Sequence, residues 1–259
     1  MKIDFHIHAK LSKKTDFSLQ HFTTILDEAL MHGLDAIILT EHFNTHRFDD
    51  VYGTLDQHFP CNGHYYEYGN FRIFTGMEVD VAEGGHILIS GAKDALLEVR
   101  RALTGHTAPA DFISLAALFD LCEPADLMVI GGHPFRASNH LYHVAPELLR
   151  RFDAFDLNGK DLHEIGIQEN IANVLTLGKQ HHVPVVAGSD AHQMFQVGCV
   201  WNELPGNYET VADIRSAIRN GQCTRHIAPA LHLQVRAANA VKKLLKQKVE
   251  VVASLHGQV

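Results

Sequence analysis

The chain has 259 residues, with 22 Lys and Arg against 30 Asp and Glu, which gives a formal net charge of −8. Hydrophobic residues make up 46% and charged residues 20%, a balance that excludes a disordered chain and allows a full core. The sequence shows no basic stripe typical of a nucleic-acid surface and no apolar run of membrane-spanning length, and we expect no signal peptide after Met1.

Cysteine and histidine content adds two expectations. The four cysteines, Cys61, Cys122, Cys199 and Cys223, form no CxxC pair, so we expect reduced thiols in a cytoplasmic protein. The 20 histidines nearly equal Lys and Arg together and suggest a metal site. Neither feature predicts an oligomeric state.

Short apolar segments alternate with amphipathic segments along most of the chain. The apolar segments predict strands at residues 2–8, 35–40, 72–79, 86–90, 127–132, 154–158 and 183–187. The amphipathic segments between them predict helices at residues 19–32, 113–121 and 168–181. This alternation predicts an α/β fold, a distorted (β/α)7 barrel of the TIM-barrel type with its active site at the carboxyl ends of the strands.

Residues 47–70 interrupt this alternation. They have no clear period, and we expect a long βα loop with some helix, which is often functional. The tyrosines of this segment are Tyr52, Tyr65, Tyr66 and Tyr68. Tyr66 or Tyr68 could stack on a substrate ring, but packing on the barrel rim is the favoured interpretation.

The chain is predicted to divide into a barrel, residues 1–204, and a C-terminal helical segment, residues 205–259, packed on it. Within that segment, helices are predicted at residues 210–220 and 231–245. The lysines of the last helix are expected to form a solvated edge. They are Lys242, Lys243, Lys246 and Lys248.

The first predicted strand carries the first candidate metal ligands. Because alternate residues of a strand share a face, one face carries Asp4, His6 and His8, and the other carries Ile3, Phe5 and Ile7. The polar face is expected to line the barrel interior, where unpaired imidazoles are costly and a metal ion would remove the cost. Two hydrogen-bonded histidines without a metal remain the alternative, since a chain this rich in histidine contains His-x-His pairs by chance.

Further residues of ligand type stand at the ends of later predicted strands. They are His42, Glu78, His86, His133, Asp190 and His192. Each alone has an ordinary explanation, such as a histidine in a surface loop or an aspartate that caps a turn. Barrel strands end at one mouth, however, and eight such residues exceed the about four ligands of a single zinc ion. The set indicates two or three divalent ions, and mixed nitrogen and oxygen ligation favours Zn, Mn or Fe.

These residues lie in an ordered series of motifs: DFHIH, LTEH, GMEVD, GGHILIS, GGHPF and GSDAH. Over most of residues 1–200 the series resembles the PHP (polymerase and histidinol phosphatase) family. The resemblance implies a distorted seven-stranded (β/α) barrel with two or three metals. By motif position, the ligands that it implies are His6, His8, His42, Glu78, His86, His133, Asp190 and His192.

The sequence departs from the family pattern at two places. The usual TDH reads Thr40-Glu41-His42, which preserves the histidine. The family pattern HTxxSDG after the first histidine pair supplies a further aspartate ligand. Here Asp16 fills that position if residues are inserted after Ser12, and otherwise Lys13 occupies it and one metal site is weakened or lost.

A metal pair clamps phosphate oxygens and provides a metal-activated hydroxide that attacks phosphorus in line. The expected function is therefore a metal-dependent phosphoesterase, a phosphatase of small phosphomonoesters that are histidinol-phosphate-like or nucleotide-like. His192 is a candidate acid for the leaving group. Arg136 is either a bidentate grip on the phosphate or a surface ion pair. No GxSxG elbow, P-loop or GxGxxG motif occurs, so no serine nucleophile or nucleotide cofactor is implied.

Two other functions fit part of the pattern. An amidohydrolase-type C–N or C–O hydrolase also carries His-x-His on its first strand, but it usually has a carboxylated lysine at a strand end that this sequence lacks. A non-catalytic PHP regulatory or structural module usually loses ligand residues, whereas this chain retains eight candidates. Asn158 and Asp156 end a strand at the same mouth, where they either touch the substrate or support the ligands.

Overall fold

The computed structural model describes residues 1–138 and 140–256, with side chains as far as residue 247. The strands are β1 (Lys2–Ile7), β2 (Ala36–His42), β3 (Tyr65–Tyr68), β4 (Phe71–Asp80), β5 (His86–Ser90), β6 (Met128–Gly132), β7 (Ala154–Asn158), β8 (Val185–Gly188), β9 (Val200–Glu203) and β10 (Thr224–Ile227). The α-helices are α1 (Leu19–Met31), α2 (Phe48–His58), α3 (Lys93–Ala102), α4 (Leu115–Cys122), α5 (Pro146–Leu149), α6 (Gly159–Glu164), α7 (Ile167–His181), α8 (Val211–Arg219) and α9 (Leu231–His256).

The strands form one continuous sheet in the order β10-β9-β1-β2-β4-β5-β6-β7-β8, with β3 paired to β4. Strands β1 and β8 are far apart in this order, but the chain segments at their carboxyl ends lie side by side. Ile7 and Ala191 form a parallel bridge there, and the backbone N–H of His8 donates to the carbonyl of Ala191 at 2.9 Å. The sheet is thereby nearly closed, and the predicted α/β barrel is confirmed.

Strand β5 runs against its neighbours, which corrects the expectation of parallel βα units throughout. It pairs antiparallel with both β4 and β6, whereas β1, β2 and β4, and likewise β6, β7 and β8, are parallel. A short turn between Asp80 and His86 replaces a crossover helix, since too few residues separate the strands for one. As a result, the amino end of β5 lies at the mouth where the other strands end.

The barrel interior is filled by one apolar cluster to which all seven barrel strands contribute. Helix α8 adds Val211, Ile214, Ala217 and Ile218 to this cluster and so closes one end of the barrel. A second cluster joins the outer faces of the strands to the surrounding helices. For example, Phe22, Ile25 and Leu26 of α1 belong to it.

Strand β1 does not alternate as the sequence predicts. Ile3 and Phe5 belong to the interior cluster, but Ile7 belongs to the outer one. The cause is a change of register against β2, where the three steps from Asp4 to Ile7 oppose only two, from Ile37 to Leu39. Such a bulge moves the residues beyond it to the other face. Asp4, His6 and His8 therefore do not form one uniform face.

Two expectations for segments outside the barrel strands are corrected. Residues 47–70 are not mainly loop, because they form α2 and β3. The C-terminal segment is not purely helical, because β10 pairs with β9 and extends the sheet. The last three residues of that segment lie outside the described residues, and the boundary at residue 204 stays a prediction. In the described part of the chain, every helix is too short or too polar to cross a membrane.

Candidate metal centre

The eight predicted ligands meet at one mouth of the barrel because each stands at a strand end. His6 lies near the end of β1 and His8 follows that strand. His42 ends β2, and Glu78 lies near the end of β4. His86 opens the reversed strand β5. The others follow later strands: His133 after β6, and Asp190 and His192 after β8. The predicted convergence of these residues is present in the structure.

Glu78 lies at the centre of the imidazoles. Its Oε1 is 2.7 Å from Nδ1 of His86 and 3.2 Å from Nε2 of His133. Its Oε2 is 2.7 Å from Nδ1 of His42 and 3.5 Å from Nε2 of His8. The two oxygens of one carboxylate therefore face two different sets of imidazoles. A carboxylate in this position could bridge two ions.

The ligand atoms fall into three compact groups, each with its donor atoms within 4.8 Å of one another. The groups are His8, His42 and His192; His6, His8 and Asp190; and Glu78, His86 and His133. His8 belongs to two of them, so the groups adjoin. Together they contain all eight predicted ligands.

One buried ligand-type atom at this site, Nδ1 of His8, has no hydrogen-bond partner among the described residues. Burying such an atom unpaired is costly, and a divalent ion would use its lone pair. Imidazole with carboxylate is a donor set that suits Zn, Mn or Fe. The residues present therefore fit the metal ions that the motifs imply.

Burial and neighbouring charges set the protonation of these groups. Burial lowers the pKa of His8 to about 3, with repulsion from His42 adding to the effect, and it lowers the pKa of His133 and His192 well below the usual range. Burial alone would raise the pKa of Glu78, but the imidazoles of His86 and His42 hold it well below its usual value. Neighbouring carboxylates outweigh burial at two other ligands and raise the pKa of His6 and of His86 to about 9. Neutral imidazoles and an ionised carboxylate are the forms that bind metal ions, so an ion would have to displace a proton from His6 and His86.

Two carboxylates lie beside ligand histidines: Asp156, for which sequence analysis considered this supporting role, and Asp80, which it did not identify. Asp156 Oδ2 lies 3.1 Å from Nδ1 of His6. Asp80 Oδ1 lies 2.9 Å from Nε2 of His86. Carboxylates in this position fix the ring and the tautomer of a ligating histidine. The position of Asp156 near the end of β7 was the signal that identified it in the sequence.

Close packing and unusual backbone conformations accompany the site. A side chain at Gly188 would place a Cβ atom 2.3 Å from the Cβ of His6, so only glycine fits at that point. His133 and Asp190 adopt positive φ angles of 29° and 58°. Non-glycine residues in this region are strained, and such strain is concentrated at functional sites.

Arg136 is held by the protein itself. Its Nε donates to Asp161 at 2.8 Å, and one terminal nitrogen donates to Asn158 at 3.0 Å and Asp190 at 2.9 Å. Asn158 also donates to Asp156 at 2.9 Å. Asn158 and Asp156 therefore support the residues at the mouth, which is one of the two roles considered for them.

The loop after His8 brings Lys13, and not Asp16, to the mouth. The Asp16 side chain is 70% exposed and lies 3.6 Å from Nε2 of His46. Lys13 Nζ lies 2.6 Å from Oδ2 of Asp80. Glu41 shapes this loop, because its buried Oε2 accepts hydrogen bonds from the backbone N–H groups of Ala9 and Lys10, at 3.1 and 3.0 Å.

The tyrosines of residues 47–70 pack away from the mouth. Tyr66 is fully buried and donates to Asp56 at 2.7 Å. Tyr68 donates to Asp27 at 2.7 Å. Tyr52 donates to the carbonyl of Gly76 at 2.6 Å. The favoured interpretation of these residues as packing groups is confirmed.

A cleft of about 440 Å³ opens over the ligand groups. Helix α9 forms one wall of it through Ala238, Asn239, Lys242 and Lys246. The expectation of a solvated lysine edge is therefore wrong for Lys242, which is half-buried in the cleft, and right for Lys243, which is exposed. The Lys248 side chain lies outside the described residues.

Residues 174–223 match a protein-family model described as PHP-associated. No protein of the curated set matches the chain in sequence. Comparison with solved structures does find relatives. PsfC from Pseudomonas syringae PB-5123 superposes with a TM-score of 0.79 at 24% identity, over 94% of this chain and 98% of PsfC.

Two further structures share the fold less closely. The lesion-specific endonuclease PfuEndoQ from Pyrococcus furiosus gives a TM-score of 0.63 at 19% identity, over 87% of this chain and 57% of its own. An amidohydrolase from Chromobacterium violaceum gives a TM-score of 0.50 at 14% identity, over 86% of this chain and 97% of the amidohydrolase chain. Endonuclease Q has been solved with a 27-mer duplex substrate, so the shared fold gives no support for excluding a nucleic-acid partner.

Proposed function

We propose that this chain belongs to the PHP-domain family, whose associated model matches residues 174–223, and is a metal-dependent phosphoesterase that hydrolyses a small phosphomonoester. The observation that carries the proposal is the gathering of eight histidine and carboxylate side chains, six of them buried and two (His86 and His192) half-buried, in three adjoining groups at the floor of a cationic cleft. A phosphomonoester is a dianion, and the expected ions would attract it.

Two or three ions (Zn, Mn or Fe) would be held by the residues of the three groups. When bound, such ions supply an activated water and neutralise charge that develops on the phosphoryl oxygens. The chain's own part is to fix the ligands, which the carboxylates of Asp156 and Asp80 do for His6 and His86. Burial of the ligand groups also limits access of bulk water to the floor of the cleft.

His192 and Arg136 were both considered for direct roles in the reaction. Nδ1 of His192 donates a hydrogen bond to the carbonyl of Asp190 at 3.1 Å, and burial lowers the pKa of the imidazole. A neutral ring with a protonated Nδ1 keeps the Nε2 lone pair, so we assign His192 as a ligand in preference to an acid. Nε of Arg136 donates to Asp161, and one terminal nitrogen donates to Asp190. Because these groups already bind the protein, we assign Arg136 to positioning Asp190.

The test is phosphate release by protein loaded with Mn, Zn or Fe, measured on a panel of phosphomonoesters. We expect release that a chelator abolishes and that added metal restores. Glu78→Gln removes the carboxylate charge and should lower kcat/KM by at least about a hundredfold. Glu67→Gln, at an exposed position on β3, is the matched control and should leave the rate unchanged.

Protein with bound metal that releases no phosphate from any ester would overturn the proposal. Turnover of amides or lactones in place of esters would favour the amidohydrolase alternative. Cleavage of an oligonucleotide with no action on small esters would favour a nuclease, a function carried by one protein of the same fold.

A further inference from the structure

We propose that the cleft contains a second anion-binding subsite, formed by Lys242 and Lys246 of α9, which selects substrates with a second anionic group besides the phosphate that is cleaved. This inference rests on the proposed phosphoesterase function. It concerns the structure of the leaving group, which the metal-ligand residues at the floor of the cleft do not determine.

The first argument is the charge balance of the cleft walls. Five cationic residues line it, against the two carboxylates Glu78 and Asp190. The five are Lys13, Arg136, Lys160, Lys242 and Lys246. Divalent ions held by the carboxylates and imidazoles would increase the positive surplus. A phosphate dianion at the floor would balance only part of that charge.

The second argument is that the cations on α9 are not committed elsewhere. Lys13 pairs with Asp80 at 2.6 Å, and Lys160 lies 3.8 Å from Glu164. Among the described side chains, Lys242 and Lys246 form neither an ion pair nor a hydrogen bond. Lys242 feels the attraction of Asp190, a carboxylate that already pairs with Arg136 at 2.9 Å, and the repulsion of Lys246 and Lys160. Clustered cations that form no ion pair of their own are typical of a site for an anion.

The third argument is that packing directs Lys242 into the cleft. Leu231, Val235 and Ala238 of α9 are buried against the barrel. Lys242 follows Ala238 by four residues and Val235 by seven, so it lies on this same face of the helix. Its half-buried position over the mouth is therefore fixed by the docking of α9, and its ammonium group faces the site across from the ligands.

The size of the cleft indicates a small substrate. Its volume of about 440 Å³ lies within the range of small-molecule sites. An adjoining cleft is lined by the same Lys13, Lys242 and Lys246 and adds Lys14 to the cationic wall. A second carboxylate or phosphate a few bonds from the scissile phosphate would meet this wall.

The experiment compares esters that differ only in a second anionic group: propyl phosphate with none, 3-(phosphonooxy)propanoate with a carboxylate, and propane-1,3-diyl bisphosphate with a phosphate. We expect kcat/KM for the last two to exceed that for propyl phosphate by about tenfold, as for one charge-assisted contact. Lys242→Gln should remove this advantage and leave the rate with propyl phosphate within twofold. Lys243→Gln, at the exposed neighbouring position, should change neither.

A binding measurement tests the subsite without turnover. The non-hydrolysable 3-phosphonopropionate carries two anionic groups, and propylphosphonate carries one. Lys242→Gln should raise Kd about tenfold for the first and leave Kd for the second unchanged. Equal effects on both compounds, or none on either, would overturn the subsite.

These arms separate the two proposals. Phosphate release from propyl phosphate with no preference for a second anion would overturn the subsite and support the phosphoesterase. No release from any ester would overturn the phosphoesterase, while the phosphonate titration still decides the subsite. Preference for a 5′-phosphorylated oligonucleotide over every small ester would contradict the small substrate that we infer.

Discussion

His6 illustrates how the ligands are fixed at the level of single residues. Its Nε2 faces the centre, 3.2 Å from Nε2 of His8, while Nδ1 is held by Asp156 at 3.1 Å. Behind this pair, Gly188 allows β8 to approach so closely that no side chain would fit. The position of this imidazole is therefore determined by a carboxylate, a neighbouring ring and a backbone contact.

Removing the charge of Asp156 tests that arrangement. Asp156→Asn keeps the shape of the side chain but weakens the acceptor for Nδ1 of His6. We expect metal affinity, measured by competition with a chelator, to fall by about 10–100-fold because the ring and tautomer are less well fixed. The thermal stability of the variant should be followed at the same time, to separate ligand orientation from unfolding.

Asp94→Asn provides the matched control, since Asp94 stands in the first turn of α3 away from the mouth. Its metal affinity should equal that of the unaltered protein. An Asp156→Asn variant that is folded and binds metal as tightly as the control would show that Asp156 does not orient His6.

The sequence predicts ligands better than it predicts the residues that support them. Histidine and acidic residues at strand ends are readable because barrel topology sends strand ends to one mouth. The partners of Arg136 and His86 are not readable, because they depend on side-chain contacts between segments far apart in the chain. The same reason explains why Lys13 and Asp16 could only be distinguished once the loop after His8 had a conformation.

At the level of elements, α9 connects the C-terminal segment to the site. Leu231 and Val235 belong to the outer apolar cluster, and Nε2 of Gln234 donates to the carbonyl of Val197 at 3.1 Å. The helix also packs against α6 and the segment Met194–Gln196, which directly follows the ligand His192. Docking of this one helix therefore positions a wall of the cleft.

Truncating the buried anchor of α9 tests this role. Leu231 is fully buried, and Leu231→Ala should destabilise the docking of α9 by about 2–5 kcal/mol. We expect faster hydrogen exchange in residues 231–247 and a higher KM, with barrel strands still protected. Leu233→Ala, at a position 64% exposed, should have neither effect. Unchanged exchange in the Leu231 variant would contradict a docked helix.

Element type was easier to predict than strand direction or register. The apolar period of α1, with Gly33 following at a positive φ of 70°, allowed its existence and its end to be predicted. The antiparallel course of β5 and the bulge in β1 could not be predicted, because both depend on pairing with neighbouring strands. Short polar strands such as β10 carry too weak a pattern to separate them from loop.

At the level of the whole molecule, net charge and local charge have opposite signs. The chain carries −8 overall, yet five cations against two carboxylates line the cleft. An average over the sequence cannot report such an uneven distribution, which only the fold creates. The exclusion of anionic polymers from net charge was therefore weaker than it looked, and the cleft itself predicts an anionic substrate.

The central claim is that the residues around Glu78 hold divalent ions. Anomalous diffraction at the metal edge, from crystals grown with Mn or Zn, tests it most directly. We predict two or three peaks, each about 2.0–2.3 Å from histidine nitrogens or carboxylate oxygens of His6, His8, His42, Glu78, His86, His133, Asp190 and His192. Crystals of folded protein that contain the metal but show no peak among these eight residues would contradict the account.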